Sequence, residues 1–265
     1  MIRAGTARPN KDIETKRVIV AVLQARMSSQ RYPGKILASL GDEPMILRQL
    51  ERIRLARVDR IVVATSTDAT DDPLCVELDR IGVPYFRGAL YDVLDRVYGA
   101  ATAFEARHVV RLTADCPLTD PRIVDRIVAA HIADGSDYTS NTLVRTYPDG
   151  LDVEVATLAA IERAWRECED RTQREHVMPY LYAKPGRFKL GNVVQNIDRS
   201  YYRLTVDYPE DLAVVRAVFD ALWSPRKDFS SAQMIALLDR RSDLVELNAM
   251  HNNLLRCREA GAAAQ

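Results

Sequence analysis

Apolar residues fall in short unbroken runs through the first half of this chain and in alternation through part of the second. Val18-Ile19-Val20-Ala21-Val22-Leu23 is the clearest run, and its pattern predicts a buried strand. Arg60–Thr65, Val83–Phe86 and His108–Thr113 repeat it. Between them, residues 44–56, about 71–81, 91–106 and about 120–133 carry apolar side chains at helical spacing. Pro44, Asp72-Pro73 and Asp120-Pro121 suit helix starts. Strand–helix alternation with short links predicts a parallel sheet covered on both faces, with right-handed crossovers. Asp137–Asn141 and Leu151–Val155 then alternate like half-exposed strands, joined by the turn-rich Thr146–Gly150. Helices are expected over 157–168, 171–183 and 209–222, and strands over 187–194 and 202–205. The stretch after Trp223 is expected to be helical. The fold class is therefore α/β, Rossmann-like, with a mostly parallel central sheet. Residues of about 137–205 read as an insertion on that sheet, within one domain over 17–240. Residues 1–16 read as a flexible tail and 241–265 as a helical C-terminal tail.

Composition narrows the function without naming it. The 265 residues include 37 basic and 37 acidic side chains, so the net charge is zero. That excludes a general nucleic-acid binder, which needs a basic surface. No run reaches the ~20 apolar residues of a membrane helix, so no membrane partner is expected. Met1–Lys16 lacks the apolar core of a secretion signal. Cys75, Cys116, Cys168 and Cys257 show no paired spacing and read as free thiols of a cytoplasmic protein.

The candidate chemistry begins where the first strand ends. Leu23-Gln24-Ala25-Arg26-Met27-Ser28-Ser29-Gln30-Arg31-Tyr32-Pro33-Gly34-Lys35 carries three cations, two hydroxyls and a Pro-Gly turn. A cationic loop at the carboxyl end of a central strand is where an open α/β sheet binds its ligand, and its charge suits a polyphosphate. The spacing matches neither G-x-G-x-x-G nor G-x-x-x-x-G-K-[ST], so charge alone leaves a plain basic surface loop as the rival reading. Asp115, in Thr113-Ala114-Asp115-Cys116-Pro117, falls just past the fourth strand. Asp207, in Val206-Asp207-Tyr208-Pro209-Glu210-Asp211-Leu212, follows another apolar stretch. Each could serve as a turn or helix-cap residue. Carboxylates beside phosphates otherwise call for a cation between them, and Mg²⁺ binds one or two carboxylates together with phosphate oxygens.

The loop, the Asp-x-Pro turn and the Asp-Tyr-Pro-Glu-Asp-Leu segment together resemble the cytidylyltransferases that make CMP-activated acid sugars. These include the CMP-3-deoxy-manno-octulosonate synthetases and SpsF-like spore-coat polysaccharide proteins. The likeness runs from about Val18 to Leu222; Ala114 stands where many relatives carry Gly. It implies a Rossmann-like nucleotidyltransferase using CTP and Mg²⁺, with Arg26, Lys35, Asp115 and Asp207 catalytic and the two aspartates on the metal. It further implies nucleotide contacts from Leu23, Ala25, Arg26, Ser28, Arg31, Lys35, Thr65, Arg87, Arg96 and Thr113. Acceptor contacts are expected from Arg145, Asp152, Glu154, Arg174 and His176, and a homodimer through the second half. Arg96 has a rival reading as a solvated helix-face residue paired with Asp92. The acceptor would be an acid sugar bound for surface polysaccharide. A phosphonate or polyol phosphate acceptor is the first alternative. A nucleotide-sugar glycosyltransferase is the second, although its usual Asp-x-Asp turn has only Asp152-Val153-Glu154 as a counterpart, in alternating strand.

Overall fold

In the computed structural model, residues 18–224 and 228–252 are described. The expected 1–16 tail, residues 253–265 and Cys257 lie outside them. β1 (Ile19–Gln24), β4 (Arg60–Ser66), β5 (Tyr85–Gly88) and β6 (His108–Thr113) pair in parallel. β7 (Tyr138–Ser140), β8 (Glu154–Thr157) and β9 (Leu190–Asn192) extend the same sheet. The order is β5-β4-β1-β6-β8-β7-β9, and β8 runs antiparallel to both β6 and β7. The expected mostly parallel α/β sheet is therefore observed.

Helices cover both faces because the strands are apolar on both. Val20 and Val22 of β1 pack with α3 (Val93–Ala103) and α5 (Leu158–Glu167). Ala21 and Leu23 face the opposite way, into the core shared by α1 (Met45–Ile53), α2 (Asp72–Arg80), α4 (Pro121–Asp134) and α8 (Pro209–Leu222). All four of these β1 residues are fully buried, Val20, Val22 and Leu23 each contributing on the order of 1.5–3 kcal/mol of transfer free energy and Ala21 less. α9 (Ser231–Leu238) and α10 (Ser242–Leu247) close the described chain, putting helix in the expected C-terminal stretch.

Several expectations need correction. Helix 171–183 is two pieces, α6 (Arg171–His176) and α7 (Pro179–Tyr182). The break is Val177, at φ 72° and ψ −62°, the strained γ-turn geometry that a β-branched residue rarely adopts. Met178 N donates to His176 O at 2.9 Å across it. Pro179 supplies no backbone N–H, so the first helix cannot run through it. Residues 202–205 form no strand. Their backbone is spent on the 146–150 turn: Asp149 N donates to Tyr202 O (2.9 Å) and Leu204 N to Asp149 O (2.7 Å). A methyl group on Gly150 would lie 2.4 Å from Leu204 C, so only glycine permits that approach. β8 begins at Glu154 rather than Leu151, and a short hairpin, β2 (Ser39–Leu40) and β3 (Glu43–Pro44), precedes α1 without having been expected.

The topology places the site. The chain leaves β1 toward β4 on one side and returns to β6 on the other. Ligands of open α/β sheets bind outside the carboxyl ends of strands at such a reversal. The loop after β1 and the turn after β6 both open there.

Candidate functional site

Asp71, just before α2, fixes the cationic loop. It is fully buried and accepts from Met27 N (2.7 Å), Thr65 Oγ1 (2.9 Å), Ser66 N (3.0 Å) and Ser66 Oγ (2.5 Å). Sequence reasoning missed it because Asp71-Asp72-Pro73 reads as a plain helix start. Thr65 is thereby a buried anchor of the loop rather than an open hydroxyl. Gly34 at φ 72° turns the loop, and Gly34 N donates to Met27 O at 3.1 Å. Arg26, Arg31 and Lys35 consequently face one cavity of about 690 Å³. Ala25, Thr113, Asp115, Asp207 and His176 also line it. Leu23 is buried beneath it and Ser28 is exposed outside its lining.

Lys35 sits deepest. Its ammonium donates to Val206 O (2.6 Å), Asp207 Oδ1 (2.9 Å) and Asp115 Oδ2 (3.3 Å), and its side chain is 9% exposed. Asp207 carries two further cations: Arg31 Nη2 lies 2.6 Å from Oδ1, and Arg203 Nη2 2.9 Å from Oδ2. Burial pushes the Asp207 carboxyl up, but Lys35, Arg203 and Arg31 outweigh it and leave it below the ordinary carboxylate value. Asp207 does not cap α8; it is Asp211 that accepts from both Asp207 N and Tyr208 N. Arg203 joins Asp211, Asp207 and Asp149, at 2.9–3.0 Å from each. Sequence reasoning missed Arg203, although its place four residues before Asp207 was a visible signal.

A second cavity of about 280 Å³ adjoins the first. Arg111, Thr113 and His176 line both. Arg145 makes a bidentate pair with Asp152 (3.0 and 2.8 Å). Arg111 pairs with Glu154, which also accepts from Tyr138 Oη at 2.7 Å. Asp152 is pushed up by burial. Asp149 is pushed up to about 6, by burial first and Asp152 next. The Val177 turn sets Glu175 and His176 at the rim, and Glu175 Oε1 lies 3.3 Å from Arg26 Nη2.

Three expected contacts lie elsewhere. Arg174 is absorbed between helices, bonding Asp92 (2.8 Å), Trp165 O (2.9 Å) and Cys168 O (2.8 Å), and lines neither cavity. Arg87 holds Ser66 O, Asp68 O and Asp72. Arg96 is no solvated helix-face residue. It is fully buried, bonds Ala89 O and Leu90 O, and has its Nε and Nη2 without partners. Burial lowers its pKa to about 10, and unpaired buried N–H groups of this kind are costly unless something else satisfies them.

Chemically, the larger cavity offers cations above and two converging carboxylates below, an arrangement suited to a polyphosphate. Asp115 and Asp207 both reach one ammonium, so their oxygens converge on a single cation position. Hard carboxylate oxygens converging in this way fit Mg²⁺. Among the described residues no cluster of three or more His, Cys, Asp or Glu forms a metal cage, so the remaining metal ligands would have to be phosphate oxygens and water. Among the described residues, no helix is long and apolar enough to cross a membrane, and Cys75, Cys116 and Cys168 are free thiols.

Comparison with known proteins agrees in family and in fold. A family model described as cytidylyltransferase matches residues 20–248. The chain is 34% identical over 235 residues to the spore coat polysaccharide biosynthesis protein SpsF of Bacillus subtilis (strain 168), covering 85% of this chain and 95% of that one. It is 27% identical over 247 residues to a 3-deoxy-manno-octulosonate cytidylyltransferase of Anaeromyxobacter dehalogenans (strain 2CP-C), covering 77% and 99%. The solved structure of a cytidylyltransferase from Leptospira borgpetersenii serovar Hardjo-bovis superposes with a TM-score of 0.82 at 31% identity, over 86% of this chain and 96% of that one.

Proposed function

This chain belongs to the cytidylyltransferase family, and we propose that it transfers CMP from CTP to a sugar acid, releasing pyrophosphate. The observation that carries this reading is the pair of adjoining cavities. One is lined by Arg26, Arg31 and Lys35 above two convergent aspartates; the other is smaller, and the two share Arg111, Thr113 and His176. A triphosphate in the first would present its α-phosphate toward the shared wall, and an acceptor hydroxyl in the second would approach from the far side.

The acceptor oxygen bonds to the α-phosphorus while the bond to the β-phosphate oxygen breaks. Catalysis of this kind is mostly positioning and charge neutralisation. Arg26, Arg31 and Lys35 hold the triphosphate and neutralise charge growing on pyrophosphate. Asp115 and Asp207 are the residues that would hold Mg²⁺, which when bound would polarise the α-phosphate. Thr113 and Arg111 orient the reacting groups at the shared wall. His176, which lines both cavities, would take the acceptor's proton. Neither base-side arginine lines these cavities, Arg96 being fully buried and Arg87 engaged by Ser66 O and Asp68 O, so the cytosine contact is left to other groups.

Charge balance in the smaller cavity favours a sugar acid over a phosphonate or polyol phosphate. Arg111 and Arg145 are each matched by one carboxylate, Glu154 and Asp152. A dianionic headgroup would need surplus cations there. Acidic side chains that accept from hydroxyls, with Arg145 for the single carboxylate, suit a polyhydroxylated monoanion. A cytoplasmic homodimer supplying surface-polysaccharide synthesis completes the proposal, on the strength of the SpsF likeness.

The test is pyrophosphate release with Mg²⁺ and each nucleoside triphosphate, against acid sugars including 3-deoxy-manno-octulosonate and against phosphonates. Release with CTP and an acid sugar, abolished in Asp115→Ala, is the expected result. Release only with a phosphonate would replace the acceptor class. Failure of CTP to bind would refute the nucleotide assignment.

A further inference from the structure

The Lys35 ammonium lies between the two carboxylates that would hold a divalent cation. It lies within hydrogen-bond distance of a carboxylate oxygen of both Asp115 (3.3 Å) and Asp207 (2.9 Å). Its third contact is Val206 O at 2.6 Å. An ammonium has three N–H donors, so all three are spent on the protein and none is left for a phosphate. The side chain is 9% exposed, so water does little to screen these contacts. Arg31 adds a second cation on the same Asp207 oxygen at 2.6 Å.

We propose that Lys35 is an internal counter-ion that holds the aspartate pair closed to metal until a triphosphate draws it away. The inference rests on the nucleotide and metal assignment above and adds an order of events to it. Mg²⁺ requires carboxylate oxygens at about 2.0–2.1 Å in near-octahedral geometry. An ammonium already touching both oxygens blocks that shell and repels the metal. Lysine carries its charge on a flexible four-carbon stem, so the head can swing from the carboxylates to a phosphate without unfolding the turn that bears it. The entering triphosphate brings the negative charge that attracts Lys35 and Arg31. The same movement exposes Asp115 and Asp207 to the metal travelling with the nucleotide. Metal alone therefore binds weakly while the ammonium stays between the half-exposed Asp115 and the buried Asp207.

The test measures Mn²⁺ binding to the whole protein by calorimetry and by electron paramagnetic resonance, without nucleotide. Wild-type protein should bind Mn²⁺ weakly, and Lys35→Met at least about tenfold more tightly, roughly the effect of removing one competing charge. Lys35→Arg, which keeps the charge, should resemble wild type. Lys35→Gln serves as the second neutral variant should Lys35→Met fail to fold, as judged by circular dichroism. Arg31→Met, at a more exposed cation, should tighten Mn²⁺ by a smaller factor. In wild type, CTP without acceptor should tighten Mn²⁺ binding by at least about tenfold. Neutral Lys35 variants that bind Mn²⁺ no better than wild type would overturn the proposal, even with CTP binding intact. If CTP fails to bind wild type yet Lys35→Met still gains Mn²⁺ affinity, the nucleotide reading falls and the counter-ion reading stands.

Discussion

At the parallel end of the site, one carboxylate, Asp207, is shared by Lys35, Arg31 and Arg203; at the mixed end, Arg145 has Asp152 and Arg111 has Glu154. The proposed function accounts for the contrast by what each end would bind. A triphosphate brings several negative charges, so its cavity must hold cations in reserve, parked on a few carboxylates while empty. A monoanionic, hydroxyl-rich acceptor brings little charge, so its cavity is balanced beforehand. The two ends are joined through Arg203, which touches Asp207 on one side and Asp149, in the 146–150 turn, on the other. The backbone between them is equally tight, since Gly150 packs directly on Leu204 and Thr205.

The largest effect should come from removing the shared anion. Asp207→Ala is expected to lower kcat for pyrophosphate release by about 10³-fold, whereas Asp152→Ala should act chiefly on the acceptor KM. Equal losses of kcat in both would erase the contrast. Next is the joint between the ends. Arg203→Met leaves Asp149, Asp207 and Asp211 without their common partner and should cost about 3–5 kcal/mol in urea unfolding, as breaking a buried ionic network does. Gly150→Ala strains a backbone at φ 98° against Leu204 and should cost at least about 2–3 kcal/mol. A Gly150→Ala protein as stable as wild type would show that the turn can move off the 202–205 segment.

The balanced pair offers a finer probe. A double-mutant cycle of Arg145→Gln and Asp152→Asn should give a coupling of about 1 kcal/mol or less in stability, because the guanidinium is 38% exposed. The same cycle should change the acceptor KM and leave that for CTP unchanged.

The smallest effect is a pH dependence. Asp149, held up at about 6, keeps a proton in the folded chain that the unfolded chain releases from about 4 upward. Its contribution is therefore present at low pH and lost as pH rises through 4–6. His131, on α4 against His108 and Thr139, is pushed down to about 4, by burial first and His108 next. It stays neutral where the unfolded chain would charge, so its contribution is lost as pH falls from 6.5 to 4. The two oppose one another in one window. Asp149→Asn removes the first, so stability at pH 7 relative to pH 5 should rise by on the order of 1 kcal/mol. An unchanged difference would mean that Asp149 is ionised throughout.

The sequence by itself determined the parallel half. The runs in β1, β4 and β6 could only be strands buried on two faces, and Asp120-Pro121 placed the start of α4, where Asp120 accepts from Arg122 N. The cationic loop and Asp115 past β6 were legible because strand, turn and loop signals are local, whereas the strand expected before Asp207 does not form. Identical residue types without such anchors were not legible. Arg145 and Arg174 looked alike in sequence, yet one lines the smaller cavity while the other is spent on Asp92 and two carbonyls between helices. Arg96, expected at the nucleotide with a solvated helix face as the rival reading, is buried and lines neither cavity, while Asp71 looked like a helix start and anchors the loop. Only the tertiary structure decided that β8 runs antiparallel beside β6, that the 202–205 backbone bonds a turn instead of a strand, and that Lys35 meets Asp115 and Asp207 from 80 and 172 residues away. The reason is physical. Hydrophobic periodicity reports which face a residue buries, and that is settled within one element. A charge's partner is chosen across elements by strand order and loop path, and no local pattern encodes that choice.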